Sequence, residues 1–183
     1  MTDQWPRYEV FKQDRPDGPF RNVGSVHAPD AEMALMNARD VFARRPACVA
    51  LWVVADAAIE RRTAEELKGE QGRGGEGTKG GRGGIQYAVF SKQSQRQAMT
   101  YVDFVGEVEA PTSLEAIRQV SESISGAPGI VWWACPASAV VPSDPDDLPG
   151  LEAATGKLFR MPNQYHTVFT MQKIRRGEEG DEG

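Results

Sequence analysis

The chain has 183 residues, of which 40% are hydrophobic and 26% charged, and its net charge is −5. This balance is typical of a soluble globular protein and argues against a broad nucleic-acid-binding surface. No apolar run approaches the roughly 20 residues that a membrane-spanning helix needs, and the N-terminus has no apolar signal region. We therefore expect a cytoplasmic protein that binds neither a membrane nor nucleic acid.

The N-terminal third of the chain predicts two strands ahead of a helix. Residues 7–13 are the first strand, and turn residues at positions 14–19 close a hairpin to a second strand, in which apolar residues alternate from Val23. A third strand follows the helix at residues 51–55. Because this third run is continuously apolar, we expect it to be the central strand and to be covered on both faces.

The helix between the second and third strands begins after Asp30, whose side chain can accept a hydrogen bond from the first helical turn. Ala34, Ala38, Val41 and Phe42 fall on one face at helical spacing and are the predicted buried stripe. Two closing arginines suit the negative end of the helix dipole, and the following proline ends the helix. These elements describe a fold and name no reaction.

A glycine-rich segment at residues 68–84 separates two parts of the chain. Nine of its seventeen residues are glycine and none is a large apolar residue, which predicts a flexible linker. Gly72, Gly74 and Gly77 have the spacing of a nucleotide-binding loop, but no apolar strand leads into them and no helix follows. The segment is therefore interpreted as a solvated tether.

The part after the linker repeats the pattern of the first part at an offset of 79 to 82 residues. Apolar and turn positions match, whereas charged positions do not, as expected of a duplicated fold rather than of a duplicated active site. Thr112 or Ser113 takes the capping place of Asp30. The matching segments are 8–11 with 87–90, 23–29 with 105–111, and 51–55 with 131–135.

We predict an α+β protein made of two similar small β-β-α-β units that pack as an intramolecular pseudo-dimer, with an extended C-terminal arm. A unit of about 60 residues buries too little surface to be stable alone, so the two units would share one larger core. The arm, residues 157–169, lies either across its own domain or against a partner. The predicted boundaries are 1–67 for the first unit, 68–84 for the linker, 85–174 for the second, diverged unit with the arm, and 175–183 for a disordered tail.

The chain offers few side chains for catalysis. His27 and His166 lack a glutamate three residues before them, and no cysteine or histidine pair has zinc-site spacing. The sequence contains neither a nucleophile elbow nor a Walker loop. Cys48 and Cys135 are interpreted as buried thiols, and His27 as a strand-end residue that makes one backbone hydrogen bond. We therefore predict that the chain is not itself an enzyme and has no catalytic residue, metal ligand or cofactor.

A resemblance to one known family rests on several blocks of the chain taken together: residues 5–11, 23–28, 33–40, 44–45 and 52–54, with 157–165 near the C-terminus. They look like the B subunit of the phenylacetyl-CoA epoxidase, the multicomponent ring-oxygenating enzyme of aerobic phenylacetate degradation. The resemblance implies a non-catalytic bridge between the catalytic di-iron subunit and its helical companion subunit, with electrons arriving from a separate flavin and iron–sulfur reductase. This agrees with the missing metal ligands.

The chain departs from that family in its length, because the usual subunit is much shorter and has one domain. If the usual subunit works as a pair, this chain is that pair in a tandem-duplicated, fused form, whose halves are free to differ. Self-association is an additional expectation.

Our leading hypothesis is a structural subunit of a bacterial multicomponent di-iron monooxygenase. The alternative is a stand-alone small-ligand or acyl-CoA-sensing binding module with a pocket between its halves. Aromatic and arginine side chains are favoured at interface centres, which guides the choice of contact residues. The candidate partner contacts are Trp5, Pro6, Arg7, Arg44, Arg45, Arg160, Met161, Pro162 and Tyr165.

Overall fold

The structure is a computed structural model that describes residues 4–43, 48–71, 84–93, 102–124, 129–147 and 151. These residues belong to one compact unit, Met1–Ala153. The strands are β1 (Arg7–Gln13), β2 (Arg21–His27), β3 (Ala50–Ala55), β4 (Glu60–Thr63), β5 (Ile85–Lys92), β6 (Asp103–Ala110), β7 (Val131–Pro136) and β8 (Val140–Pro142). The helices are α1 (Ala31–Phe42), α2 (Ala64–Gln71) and α3 (Ser113–Ser123).

The strands form one eight-stranded sheet in the order β4-β7-β5-β6-β2-β1-β3-β8, and every pairing is antiparallel. The mixture of this sheet with separate helices confirms the α+β class. We call β1, β2, α1, β3 and β4 the first half, and β5, β6, α3, β7 and β8 the second half. The same order of elements thus occurs twice, although a tandem duplication of the gene stays a prediction. The expected match of 51–55 with 131–135 is wrong by one residue, because Trp52 lies opposite Phe11 as Trp133 lies opposite Phe90.

The fourth strand of each half is exchanged, which the sequence did not predict. β4 of the first half pairs with β7 of the second half, and β8 of the second half pairs with β3 of the first half. At the centre of the sheet, β2 and β6 share a single residue pair, Arg21 with Asp103. The guanidinium Nε of Arg21 also donates to the Asp103 carboxylate at 2.7 Å. Strand exchange therefore gives each half an edge that the other half completes.

The third strand of each half is not the central one, contrary to the prediction. In the first half, β1 lies between β2 and β3, and β3 obtains its second neighbour only from β8. The expectation that β3 is covered on both faces is confirmed, because Leu51 and Val53 pack in the cluster with α1 while Val54 packs in the cluster between the halves. Alternate side chains of an apolar strand thus enter two different cores.

Helices α1 and α3 begin directly after predicted capping residues. The Asp30 carboxylate accepts a hydrogen bond from the Met33 amide at 2.8 Å, and the Thr112 hydroxyl accepts one from the Glu115 amide at 3.2 Å. Each cap satisfies one of the free amides of a first helical turn. On α1 the fully buried residues are the two predicted alanines, and Phe42 packs at the edge of the same core. Val41 was expected there and is instead exposed.

Three apolar clusters hold the described residues together. One joins α1 to the sheet of the first half and another joins α3 to the sheet of the second half. The third lies between the two halves, where the Phe11 and Phe90 rings stack with centroids 4.2 Å apart and Trp133 meets Phe11 edge-on at 6.3 Å. A shared core of this kind was the physical reason for expecting a pseudo-dimer.

A bulge interrupts each hairpin at the same place. The pairing shifts between Val10 and Phe11 in the first half and between Val89 and Phe90 in the second. Gly24, beside the first bulge, has a φ of 134°, and a Cβ atom there would lie 3.1 Å from the Phe42 ring. Only glycine adopts this backbone readily and leaves room for the helix.

Several predicted segments fall largely outside the described residues. Helix α2 extends to Gln71, so the first four residues of the predicted linker 68–84 are helical. Most of the rest of that linker, together with the arm and the tail 175–183, lies outside the described residues. Leu151 is buried in the cluster beneath α1. The predicted domain boundaries therefore stay predictions.

Candidate functional site

The structure describes three of the predicted partner contacts. The Trp5 side chain is 61% exposed. The Pro6 carbonyl accepts a hydrogen bond from the Ala28 amide at 3.1 Å, which anchors the approach to β1. Arg7 donates to the Glu9 carboxylate at 2.7 Å and is thus engaged within its own strand. The other candidates, Arg44, Arg45, Arg160, Met161, Pro162 and Tyr165, lie outside the described residues.

Helix α1 exposes three apolar side chains that were not among the predicted partner contacts, and one of them, Val41, was expected to be buried. Met33 is 41% exposed, Met36 is 50% exposed and Val41 is 63% exposed. At 3.6 residues per turn they lie within about 140° of the helix circumference. We call these three residues the α1 patch. Apolar side chains grouped on one side of a surface helix are a common feature of protein contact surfaces.

The α1 patch has no counterpart on α3. Counting from the N-caps Asp30 and Thr112, the same three helix positions on α3 are occupied by Glu115, Arg118 and Ser123. The inward positions agree, since Ala34 and Ala38 correspond to Ala116 and Val120, all of which are buried. Polar residues are thus compatible with this helix and sheet packing, and the fold does not require the apolar side chains of α1 to be exposed.

A cleft of about 580 Å³ lies between the two halves. Glu9 and Asn22 of β1 and β2 form one wall, and Arg61 of β4 and Trp133 of β7 form the other. Strand exchange positions Arg61 there, because β4 runs beside β7 with Arg61 directly opposite Trp133. The remaining lining residues are Arg7, Gly24, Asp56, Arg62, Thr63, Glu66, Lys92, Val102 and Val131.

A buried carboxylate organises the polar side chains of the cleft. Glu9 is 2% exposed. Its carboxylate accepts hydrogen bonds from Arg7 at 2.7 Å, from Arg61 at 3.2 Å and from the side-chain amide of Asn22 at 3.0 Å. A buried carboxylate is tolerated only with such partners, because removal from water is otherwise very costly. Arg61 also pairs with Asp56, and its guanidinium carbon lies 4.5 Å from the centroid of the Trp133 ring. The cluster therefore joins β1 to the exchanged strand β4.

The sequence contains a signal for this cluster. Glu9 occupies the strand position that corresponds to Ala88, and Asn22 the position that corresponds to Phe104. Polar residues that replace apolar ones between otherwise matching strands indicate a feature of one half only. An alignment of the two halves by their shared apolar and turn positions does not reveal these differing residues.

The two cysteines are buried thiols, as predicted. Burial raises the pKa of the Cys135 thiol to about 12, with a smaller effect from the charge of Glu107. Burial also raises the pKa of the Cys48 thiol. Because only the thiolate is a strong nucleophile, neither cysteine is suited to nucleophilic chemistry at neutral pH.

The raised Cys135 pKa predicts a loss of stability in alkaline solution. An unfolded cysteine ionises near pH 8.5, so the stabilising contribution of the neutral buried thiol is full below that pH and declines as the pH rises toward 12. Between pH 8 and pH 10 we expect this thiol to account for about 2 kcal/mol of lost unfolding free energy. Urea titrations of the protein and of Cys135→Ala at both pH values measure the difference, and equal pH dependence in the two proteins would contradict it.

The described residues offer neither a metal site nor a membrane-spanning helix, and His27 lies at the end of β2. Within the ranges that the structure describes, no group of three or more His, Cys, Asp or Glu side chains could hold a metal ion. The helices among the same residues are all too short or too polar to span a membrane. His27 is the last residue of β2 and its side chain is exposed. Its backbone carbonyl accepts a hydrogen bond from the side-chain amide of Asn37 at 3.2 Å.

Comparison with known proteins relates the first half to one family. The family model described as phenylacetic acid degradation B matches residues 4–73. A curated relative, the B subunit of the 1,2-phenylacetyl-CoA epoxidase of Escherichia coli (strain K12), is 46% identical over 62 residues, which are 34% of this chain and 65% of the relative. This chain thus covers less than two thirds of that relative. No solved structure matches this chain. The N-terminal part of the chain, residues 4–73, is therefore similar to the phenylacetic acid degradation B family, as its motifs indicated.

Proposed function

We propose that this chain is a non-catalytic bridging subunit of a multicomponent di-iron monooxygenase of phenylacetate catabolism, acting in the cytoplasm. Its proposed partners are the catalytic di-iron subunit and the helical companion subunit of that enzyme. Two findings support the proposal. Residues 4–73 resemble a protein that is itself named as a subunit of an epoxidase, and the same part of the chain carries the α1 patch.

The observation that carries the proposal is the difference between the two helices. Helix α1 exposes Met33, Met36 and Val41, whereas α3 has a glutamate, an arginine and a serine at the same positions. Both helices pack on their sheets through small or branched apolar residues, so the outward face is free to vary. A partner that covers α1 would remove exposed apolar surface from water, which is the main favourable term in protein association.

The α1 patch lies in the same half as one of the predicted contacts. Trp5 precedes β1 and Pro6 is hydrogen-bonded to Ala28, two residues before the α1 N-cap. An exposed tryptophan and two methionines are residue types that are enriched at interface centres. Among the helices that the structure describes, α1 is the one with such an apolar outer face, because α3 is polar outside. We therefore expect one attachment of this kind per chain.

The test replaces the α1 patch with the residues that α3 carries at the same positions. The triple variant Met33→Glu, Met36→Arg, Val41→Ser should keep its melting temperature within a few degrees, since surface changes rarely exceed about 0.5 kcal/mol each. Its affinity for the partner complex should fall by about 100-fold or more, because the variant removes three apolar contacts and also places a glutamate and an arginine where they would be buried without partners. The measurement is co-purification of the tagged protein from its native cell, with metal and mass analysis, followed by binding titration.

A matched control changes exposed polar residues of α3. Gln119→Ala with Glu122→Ala alters the equivalent helix of the second half and should leave co-purification unchanged. Recovery of an iron-bearing helical partner by the parent protein but not by the triple variant would support the proposal. A parent protein that purifies alone under mild conditions would contradict it, as would equal recovery with the triple variant.

A further inference from the structure

A carboxylate, that of Asp40, lies within the outline of the α1 patch. Around the helix it is about 40° from Met36 and about 20° from Met33, and along the chain it directly precedes Val41. Its side chain is 77% exposed. A partner that covers the three apolar residues of the patch therefore covers this charge as well.

The described residues give Asp40 one weak partner. The Arg39 Nε lies 3.7 Å from the Asp40 Oδ1, which is too long for a hydrogen bond. Consecutive residues of a helix point about 100° apart, so Arg39 lies outside the arc that the α1 patch occupies. No described residue donates a hydrogen bond to the Asp40 carboxylate. This part of the chain therefore leaves the carboxylate to be solvated by water or paired by a partner.

Docking on the α1 patch removes that water. An ionised carboxylate is very costly to bury alone, and a buried one is usually paired with a cation. Asn37 is an amide donor on the same side of α1, but its side chain donates to the His27 carbonyl at 3.2 Å. We therefore expect the group that neutralises Asp40 to come from the surface that docks.

A second copy of this chain does not supply that group from its own α1 patch. Arg39 is the one cation of the helix Ala31–Phe42, and it lies outside the arc of the patch. Two α1 patches in contact would enclose two copies of Asp40, and like charges at an interface disfavour association. Asp40 thus acts against pairing of α1 with itself and selects for a cationic partner.

We propose that the surface which docks on the α1 patch belongs to the partner complex, is apolar, and carries an arginine or lysine that pairs with Asp40. Its apolar residues cover Met33, Met36 and Val41, and its cation replaces the water around the carboxylate. This inference rests on the proposed function and deepens it, because it states the chemistry of the partner surface.

Helix α3 carries the same charge in a different setting. Glu122 lies ten residues after the N-cap Thr112, as Asp40 lies ten residues after Asp30, and it is exposed. The α3 positions that correspond to the α1 patch hold a glutamate, an arginine and a serine, so no apolar surface surrounds Glu122. A carboxylate there needs no partner cation. Substitution of Glu122 is therefore the matched control for substitution of Asp40.

The experiment uses the full-length tagged protein and the partner complex that it recovers from its native cell. The variant Asp40→Asn should bind that complex about tenfold more weakly, and Asp40→Lys about 100-fold or more, because two cations then meet. The control Glu122→Lys should bind as the parent does. All three variants should melt within a few degrees of the parent, since both positions are exposed.

Salt dependence separates a pair with the partner from a pair within the chain. Between about 50 and about 500 mM sodium chloride, the affinity of the parent should fall more steeply than that of Asp40→Asn, because screening weakens a contact that only the parent makes. A pair within the chain is present before and after binding, so it would leave the two slopes equal. Equal slopes would therefore overturn the inference.

The remaining outcomes distinguish this inference from the proposed function. Parental affinity in Asp40→Lys, together with loss of binding by the triple variant of the α1 patch, would overturn the partner cation and leave the bridging role supported. Recovery of no partner by the parent would overturn both. If Asp40→Lys melts well below the parent, the affinity and salt dependence of Asp40→Asn decide instead.

Discussion

Replacing Phe11 with alanine should lower the free energy of unfolding by about 3–5 kcal/mol. The side chain is fully buried, its ring stacks on Phe90 and its edge meets Trp133, so the substitution opens a cavity where the two halves meet. A urea titration followed by far-ultraviolet circular dichroism measures the loss. Val41→Ala, at an exposed position, is the control and should change the unfolding free energy by less than about 0.5 kcal/mol.

The shape of the transition tests the shared core as well as its strength. Because Phe11 and Phe90 come from different halves, the variant should still unfold in one step, and the whole sheet should weaken together. A double-mutant cycle with Phe90→Ala should show a coupling of about 0.5–1.5 kcal/mol for the stacked rings. Two separate transitions, with only the first half weakened, would contradict a common core.

A chain that ends at Gln71 should not be a folded monomer. Without the second half, β3 loses β8 and β4 loses β7, and Phe11, Val54 and Ile59 lose the opposite side of their core. We expect the fragment either to be unfolded or to form a dimer in which a second copy replaces the missing strands. Circular dichroism and light scattering after size-exclusion chromatography distinguish these states, and a stable folded monomer would refute the dependence on strand exchange.

A break in the chain that removes no strand is the control for this truncation. A protease site placed within residues 72–83 cuts the glycine-rich segment and leaves all eight strands present. After cleavage the two pieces should remain together through the exchanged strands and the shared core. Separation of the pieces without denaturant would show that the covalent connection, rather than the sheet, holds the halves together.

The local elements were predictable because their signals are local. Asp30 and Thr112 cap their helices, and the strands begin and end close to the predicted residues, since capping chemistry and alternation of apolar residues act over a few positions. The α+β class followed from the order of those elements. The burial of both cysteines was also predictable, because each lies beside an apolar run.

The exchange of strands was not predictable, because its signals are weak and its cause is distant. Strand β4 reads Glu-Arg-Arg-Thr and β8 has only three residues, so neither has the length or the alternation of an obvious strand. Each forms because a partner strand from the other half offers an unpaired edge. The exposure of Val41 was missed for a related reason, since helical spacing gives the width of a stripe but not how deeply the helix sits on its sheet.

The cleft could not be found from residue types alone. Glu9, Asn22 and Arg61 are far apart in the sequence, and a charged residue within a strand is usually solvated. Their meeting depends on β4 lying beside β7. What the sequence does contain is the contrast of Glu9 with Ala88 and of Asn22 with Phe104, which becomes interpretable once the pairing of both halves is known.

Exchanged strands also set the order in which this protein can fold during its synthesis. One edge of β3 stays unpaired until β8 has been synthesised, which is 85 residues later, counted from Ala55 to Val140. At ordinary translation rates this interval is on the order of ten seconds. During that time β3 presents an unpaired edge beside the apolar surface around Phe11, which favours pairing with another nascent chain. Such long-range pairing raises the contact order and slows folding, so we expect yields to depend on expression rate and on chaperones that cover this edge.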